Sequence, residues 1–334
     1  MELIAEQRDG VEAHLRQLGW IGDDETLDGL EVPGEGNMNR TLRARVTGAR
    51  RPPRTLILKQ AVPYVAKYPQ IAAPVDRLAA EAAFYRAIAG SAALEQHTPA
   101  LLGEDPDTHL LCLEDLGEGG DLTRLYGRGG SERNDASLAA LLDWLSALHA
   151  IDAETVDVPD NRAMRELNHA HIFEIPFAAD NGVALSDALR DEQARLAGDR
   201  GLQERARDLG ERYLGHCEGT VRALLHGDFY PGSWLDHPTR TVAVIDPEFA
   251  FVGPPEFDVG VFSAHLILSG RGDVEVRRQL AGYRAPRGFG PDLARAFAGI
   301  EVIRRLLGVA QLPLDADDST RLTWLHWARE AMTT

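Results

Sequence analysis

LLHGDFYPGSWLDH (residues 224–237) and VAVIDPEFAFVGPPEFDVG (residues 242–260) are the stretch on which the reading of this chain turns. Each opens on a short apolar run, and the runs are joined by Pro, Gly and Asp, a strand-loop-strand pattern. Each run also ends on acids. Asp228 sits on a tight His-Gly-Asp turn, and Asp246 and Glu248 begin 18 positions later. The pattern places these carboxylates at the ends of adjacent strands, where they suit two tasks. Asp228 is placed to accept or orient the proton of a hydroxyl. Asp246 and Glu248 offer oxygen ligands to a hard cation such as magnesium. Ser233, five positions after Asp228, adds a hydroxyl for the same metal or its water. Trp234 beside it is expected on the substrate side. His226 reads as a hydrogen-bonded turn residue, and Asp258 as either an acid in the first turn of the next helix or a buried brace for the turn. An acidic β-hairpin without chemistry is the plain alternative.

Upstream, the first third of the chain carries short strand-like runs, LRARV (42–46), TLILK (55–59) and LLCLED (110–115), separated by turn residues. Between the last two, VDRLAAEAAFYRAIAG (75–90) repeats apolar residues every three or four positions and stops at a glycine, the pattern of one helix. Downstream of a Gly-rich joint, 117–120, helical periodicity dominates: SLAALLDWLSALHAI (137–151) and segments near 184–217, 256–269, 291–310 and 318–332. The expectation is an α+β chain of two lobes, a β-rich lobe over 1–116 and a larger helical lobe over 117–334, hinged at about 113–120.

Phosphoryl transfer asks little covalent work of a protein but needs a phosphate cradle, a lysine, metal-binding carboxylates and a group to orient the attacking hydroxyl. The chain offers them in that order. In PGEGNMNR (33–40), Gly34, Gly36 and Asn37 form a loop in which backbone amides can approach phosphate oxygens, although a plain hairpin turn reads the same way. Lys59 ends its strand facing that loop. Glu81, central in the helix, is placed to pair with Lys59; otherwise it is a surface partner of Arg77. Glu114, at the end of the last strand, is expected to line the nucleotide pocket.

Composition narrows the partners. Of 334 residues, 44% are hydrophobic, and 35 basic against 52 acidic residues give a net charge of -17. Such a surface argues against nucleic acid and against an anionic membrane, both of which select clustered Lys and Arg. The opening MELIAEQRDGVEAHLRQLGW carries early acids at helical spacing, unlike a secretory signal. Cys112 and Cys217 read as buried thiols, in keeping with a reducing cytoplasm.

These motifs, in this order, resemble the aminoglycoside phosphotransferase and choline kinase superfamily, and within it the methylthioribose kinases. His226-Gly227-Asp228 is similar to the catalytic turn of the superfamily, and Asp246-Pro247-Glu248 to the acid pair that methylthioribose kinases carry where other members have Asp-x-Asp. GEGNMNR, LILKQAVPYV (56–65), HGDFYPGSW and DPEFAFVGPPEFDVG agree, and EVIRRLLGVAQ (301–311) resembles an Arg-Arg helix aimed at the sugar site. The resemblance implies a bilobal protein-kinase-like fold, ATP and Mg2+ as cofactors, and phosphorylation of a small sugar, 5-methylthioribose or a related (deoxy)pentose, held by Arg304 and Arg305. Gln311 stands where that family has His, and the chain is shorter than expected for it. An aminoglycoside, choline or other small-alcohol kinase is the alternative within the class; an inactive nucleotide-binding regulator is the alternative outside it. A homodimer is left open. Adjacent helical positions diverge by about 100°, so one arginine is expected to enter the site while the other braces the lobe.

Overall fold

Residues 2–34, 38–127, 135–217, 219 and 221–333 are described by the computed structural model of the chain. Helix α1 (Arg8–Gln17) turns Val11 and Leu15 onto a sheet. The sheet is formed by β1 (Glu25–Glu31), β2 (Arg40–Gly48) and β3 (Arg54–Gln60), together with β6 (Leu101–Asp105) and β7 (Leu110–Glu114). It is antiparallel, in the order β1-β2-β3-β7-β6. Strand alternation explains its two faces. In β3, Leu56 and Leu58 join the core beneath α1, while Ile57 and Lys59 face the other way. A short hairpin of β4 (Tyr64–Val65) and β5 (Tyr68–Ala72) leads into α2 (Arg77–Ile88) and the single turn α3 (Ala92–Glu95).

The rest is helical. After a 3-10 turn capped by Asp121 come α4 (Asp135–His149) and α5 (Arg162–His169), the latter extended by a π turn over Ala170–Glu174. They are followed by α6 (Asp187–Gly198) and α7 (Arg200–Tyr213). The segment expected as one helix over 184–217 is therefore two, divided at Asp199, whose carboxylate accepts from Leu202 N (3.1 Å) and caps the second. Two ribbons interrupt the helices: β8 (Ala223–Leu225) with β11 (Phe251–Gly253), and β9 (Trp234–His237) with β10 (Thr241–Val244). Helices α8 (Pro255–Leu268), α9 (Asp273–Leu280), α10 (Pro291–Leu307) and α11 (Asp318–Thr333) complete the lobe. The expected α+β, kinase-like pairing of a β-rich and a helical lobe is the observed architecture.

One expectation changes. The apolar runs at 224 and 242 are not neighbours in one hairpin, because each pairs within a different ribbon. Strands β1 and β6 and helix α5 were not legible: a bulge between Leu27 and Gly29 interrupts the alternation of β1, and α5 is rich in polar residues. Cys112 is buried, whereas Cys217 is only half-buried, and neither forms a disulfide.

Helices α8 and α10 set the depth of the site, and a glycine sets their separation. A Cβ on Gly260 would lie 2.5 Å from Phe297 Cβ and 2.8 Å from Ala294 O. Gly260→Ala is therefore expected to lower the unfolding free energy by roughly 1–3 kcal/mol in urea denaturation. An unchanged midpoint would show that the two helices separate freely.

Candidate active site

Asp228 owes its position to a buried carboxylate. Asp258, in the first turn of α8, accepts from His226 N (2.7 Å) and Gly227 N (3.0 Å), the bracing arrangement. Gly227 has φ +84°, and a Cβ there would meet Phe249 O at 2.1 Å, so the turn presses against the Asp246–Glu248 segment as only glycine can. His226 ties the two ribbons together. Its Nε2 donates to Ile245 O (2.9 Å), which leaves Nδ1 to face Asp228 N (3.4 Å). Burial pushes this imidazole below its usual range, toward the neutral form that this tautomer requires. Ser233 is buried, and its hydroxyl donates to Asp228 O (3.3 Å). Trp234 corrects a second expectation. It is fully buried against Phe229 and Phe262, because its strand turns that face into the core and away from any substrate.

Lys59 lies in the cleft between carboxylates. Its Nζ is 2.7 Å from Glu81 and 2.7 Å from Asp246. Asp246 adopts φ +61°, a left-handed conformation that short polar residues reach more readily than most, and its side chain is 48% exposed. Glu248 lies deeper. Burial raises its carboxyl to about 7, against the lowering effect of Lys59. Asn39 Nδ2 donates to Glu248 Oε2 (2.6 Å), and Arg77 Nε donates to Asn39 Oδ1 (2.9 Å) while standing 3.6 Å from the same carboxylate. Arg77 also donates to the carbonyls of Met38 and Val62 (2.9 and 3.0 Å). Sequence reasoning gave Arg77 only as a surface partner of Glu81; it is fully buried and fastens the end of the glycine-containing segment to the acid pair.

The arginine pair departs from expectation. Arg305 reaches Asp228 Oδ1 at 3.2 Å and Arg304 reaches the same oxygen at 3.7 Å, and both side chains are buried. Both therefore enter the site. The angular divergence of neighbouring helical positions fixes Cβ directions, not the tips of side chains with four rotatable bonds. Arg305 additionally lies 4.7 Å over the Tyr230 ring, and Arg304 donates to Asn168 (3.1 Å). Their common partner is Glu301, one turn back on α10. Asn39, Asn168, Tyr230 and Glu301 escaped sequence reasoning. Only Glu301 carried a signal, as an acid three and four positions before the arginines.

A cavity of about 360 Å³ lies between the sheet and the Lys59–Asp246 pair. Ile57, Leu113, Leu235 and Ile245 supply an apolar slot at one end, and Lys59 and Asp246 line the other. Gly34 borders it with open space where a Cβ would be, and Glu114 lines it while paired with Arg240. Gly36 and Asn37 lie outside the described residues. The dimensions suit a nucleotide whose base enters the slot and whose phosphates meet the lysine. Among the described residues no cluster of three metal-ligating side chains occurs. Magnesium bound through phosphates needs only one or two carboxylates, which Asp246 and Glu248 could supply.

Behind the arginines, Tyr126 OH is 2.6 Å from His265 Nδ1, and His265 Nε2 is 3.3 Å from Glu301. Burial lowers His265 from 6.5 to about 4. As pH falls from 6.5 towards 4 the unfolded chain binds a proton that the native state refuses, so stability falls over that window. His265→Gln is expected to remove roughly 3 kcal/mol of that loss, seen as a flatter dependence of Tm on pH. An unchanged slope would contradict the assignment.

Comparison with known proteins agrees with this geometry. The profile of the phosphotransferase enzyme family matches residues 30–297. A methylthioribose kinase of Pectobacterium atrosepticum is 28% identical over 325 residues, covering 93% of this chain and 75% of that protein. One of Exiguobacterium sibiricum is 28% identical over 365 residues, covering 94% and 88%. Among solved structures, the choline kinase of Streptococcus pneumoniae superposes with a TM-score of 0.55 at 13% identity, covering 98% of this chain and 99% of that one. A spectinomycin phosphotransferase in complex with ADP and spectinomycin gives 0.51 at 11% identity, covering 99% and 95%. The chain belongs to the phosphotransferase enzyme family, as an ATP-dependent small-molecule kinase of kinase-like fold.

Proposed function

We propose that this enzyme phosphorylates a hydroxyl of a small neutral sugar, 5-methylthioribose or a related pentose, using ATP and magnesium at the junction of lobes 1–116 and 117–334. The observation that carries the proposal is the presence of two guanidinium groups within 3.7 Å of Asp228. A cationic acceptor such as choline or an aminoglycoside would place cation against cation there, whereas sugar oxygens accept from a planar guanidinium fork. The named methylthioribose kinases, related along most of the chain, support the same substrate class. The acidic, thiol-containing chain suits the reducing cytoplasm.

The roles follow from position. Asp228 accepts the proton of the acceptor hydroxyl as its oxygen bonds to the γ-phosphorus; the bond from phosphorus to the bridging oxygen breaks and its electron pair leaves on ADP. Lys59, oriented by Glu81, faces the phosphates. Asp246 and Glu248 would hold magnesium, which neutralises charge on the phosphates when bound. Arg304 and Arg305 orient the sugar, and Gly34 borders the nucleotide.

Asp228→Asn keeps shape and loses the charged acceptor, so kcat is expected to fall by ~10²-fold or more with ATP affinity little changed. Asp246→Ala is expected to abolish turnover in magnesium. ADP release in the presence of 5-methylthioribose, deoxyribose, choline and an aminoglycoside checks both variants and the acceptor. Turnover of choline or the aminoglycoside in preference to the sugars would overturn the acceptor class, and near-normal activity of Asp246→Ala would overturn the metal assignment.

A further inference from the structure

Arg305 donates to Asp228 Oδ1 (3.2 Å), and Arg304 stands 3.7 Å from the same oxygen. Both approach Oδ1, and among the described residues no group donates to Oδ2. Two buried guanidinium groups beside one carboxylate have every electrostatic reason to close on both oxygens, since the bidentate geometry is the stronger one. Something holds them back, and the contacts identify it. Glu301, 1% exposed, lies between the two arms: Arg305 Nε donates to its Oε1 (2.6 Å), and Arg304 Nη1 donates to its Oε2 (3.1 Å).

We infer that Glu301 is a positioning residue, a competing carboxylate that draws both guanidinium groups off Asp228 and so keeps Oδ2 open for the proton of the acceptor. The claim rests on the proton-accepting role proposed for Asp228. Glu301 is itself fixed from behind. His265 Nε2 donates to Oε1 (3.3 Å), and Tyr126 OH donates to His265 Nδ1 (2.6 Å), so a chain of donors from α8 and the turn before α4 aims the carboxylate at the arginines. Burial alone would raise the Glu301 carboxyl, but the two arginines outweigh burial and hold it well below the usual range; it is ionised whenever they are charged. The two carboxylates thus balance the two guanidinium groups, and an incoming sugar meets a neutral set with unused donors. Arg304 Nε is buried and has no hydrogen-bond partner among the described residues.

The test is a double-mutant cycle on steady-state turnover of ATP with 5-methylthioribose. Glu301→Gln keeps the volume and loses the charge, so kcat is expected to fall about tenfold or more with KM for ATP within about twofold. If Glu301 acts only by restraining the two arginines, adding Glu301→Gln to the Arg304→Met/Arg305→Met variant costs nothing further, and the combined variant matches that arginine-less background alone. Independent, multiplying losses would overturn the inference while leaving the kinase reading intact. Absence of turnover in the wild type with any neutral sugar would overturn both. Should Glu301→Gln fail to fold, Tyr126→Phe removes the outermost donor of the chain. It is expected to lower kcat by a smaller factor, about twofold to fivefold, that likewise vanishes in the Arg304→Met/Arg305→Met background.

Discussion

Asp258 gripping the amides of His226 and Gly227 is the contact on which the site depends. It fixes the turn that presents Asp228, and it does so from the first turn of α8, a helix buried along its whole length. Losing it would leave two buried amides without partners, at about 1–3 kcal/mol each. Because Gly227 then presses on Phe249 O, the same grip positions Asp246 and Glu248, which immediately precede that residue in sequence. The two ribbons do not share a sheet; His226, donating to Ile245 O, joins them. The three carboxylates proposed for the chemistry are thus held at fixed separations by a fourth that has no part in it.

Charge is arranged around that frame in two paired sets. On the nucleotide side Lys59 and Arg77 face Glu81, Asp246 and Glu248. On the acceptor side Arg304 and Arg305 face Glu301 and Asp228. The first set carries an excess of acid, and burial of Glu248 keeps its carboxyl near 7, a poor resting state that a bound cation would relieve. The second set is balanced within itself, which is how two arginines can be buried without a ligand.

The sequence made the frame readable where chemistry restricts residue choice. His-Gly-Asp and Asp-Pro-Glu, the lysine ending an apolar strand and the central glutamate of the following helix all lie together in the structure. What escaped was set by three-dimensional reach. Trp234 was placed beside substrate because it follows Ser233, but strand alternation turns it into the core. Arg304 and Arg305 were assigned opposite directions from helical geometry, and a shared glutamate one turn back overrides that geometry. Arg77 and Asn39 are separated by 38 positions and Asn39 and Glu248 by 209, distances across which no local pattern carries information.

The central claim is that Asp228 Oδ2 receives the acceptor's proton beside two restrained arginines. A crystal structure with magnesium, a non-hydrolysable ATP analogue and 5-methylthioribose tests it most directly. The account predicts one sugar hydroxyl within about 2.6–3.2 Å of Asp228 Oδ2, in line with the γ-phosphorus, and both guanidinium groups still on Glu301. A sugar bound with every hydroxyl beyond that reach, or an Asp228 closed bidentately on Arg305, would contradict it.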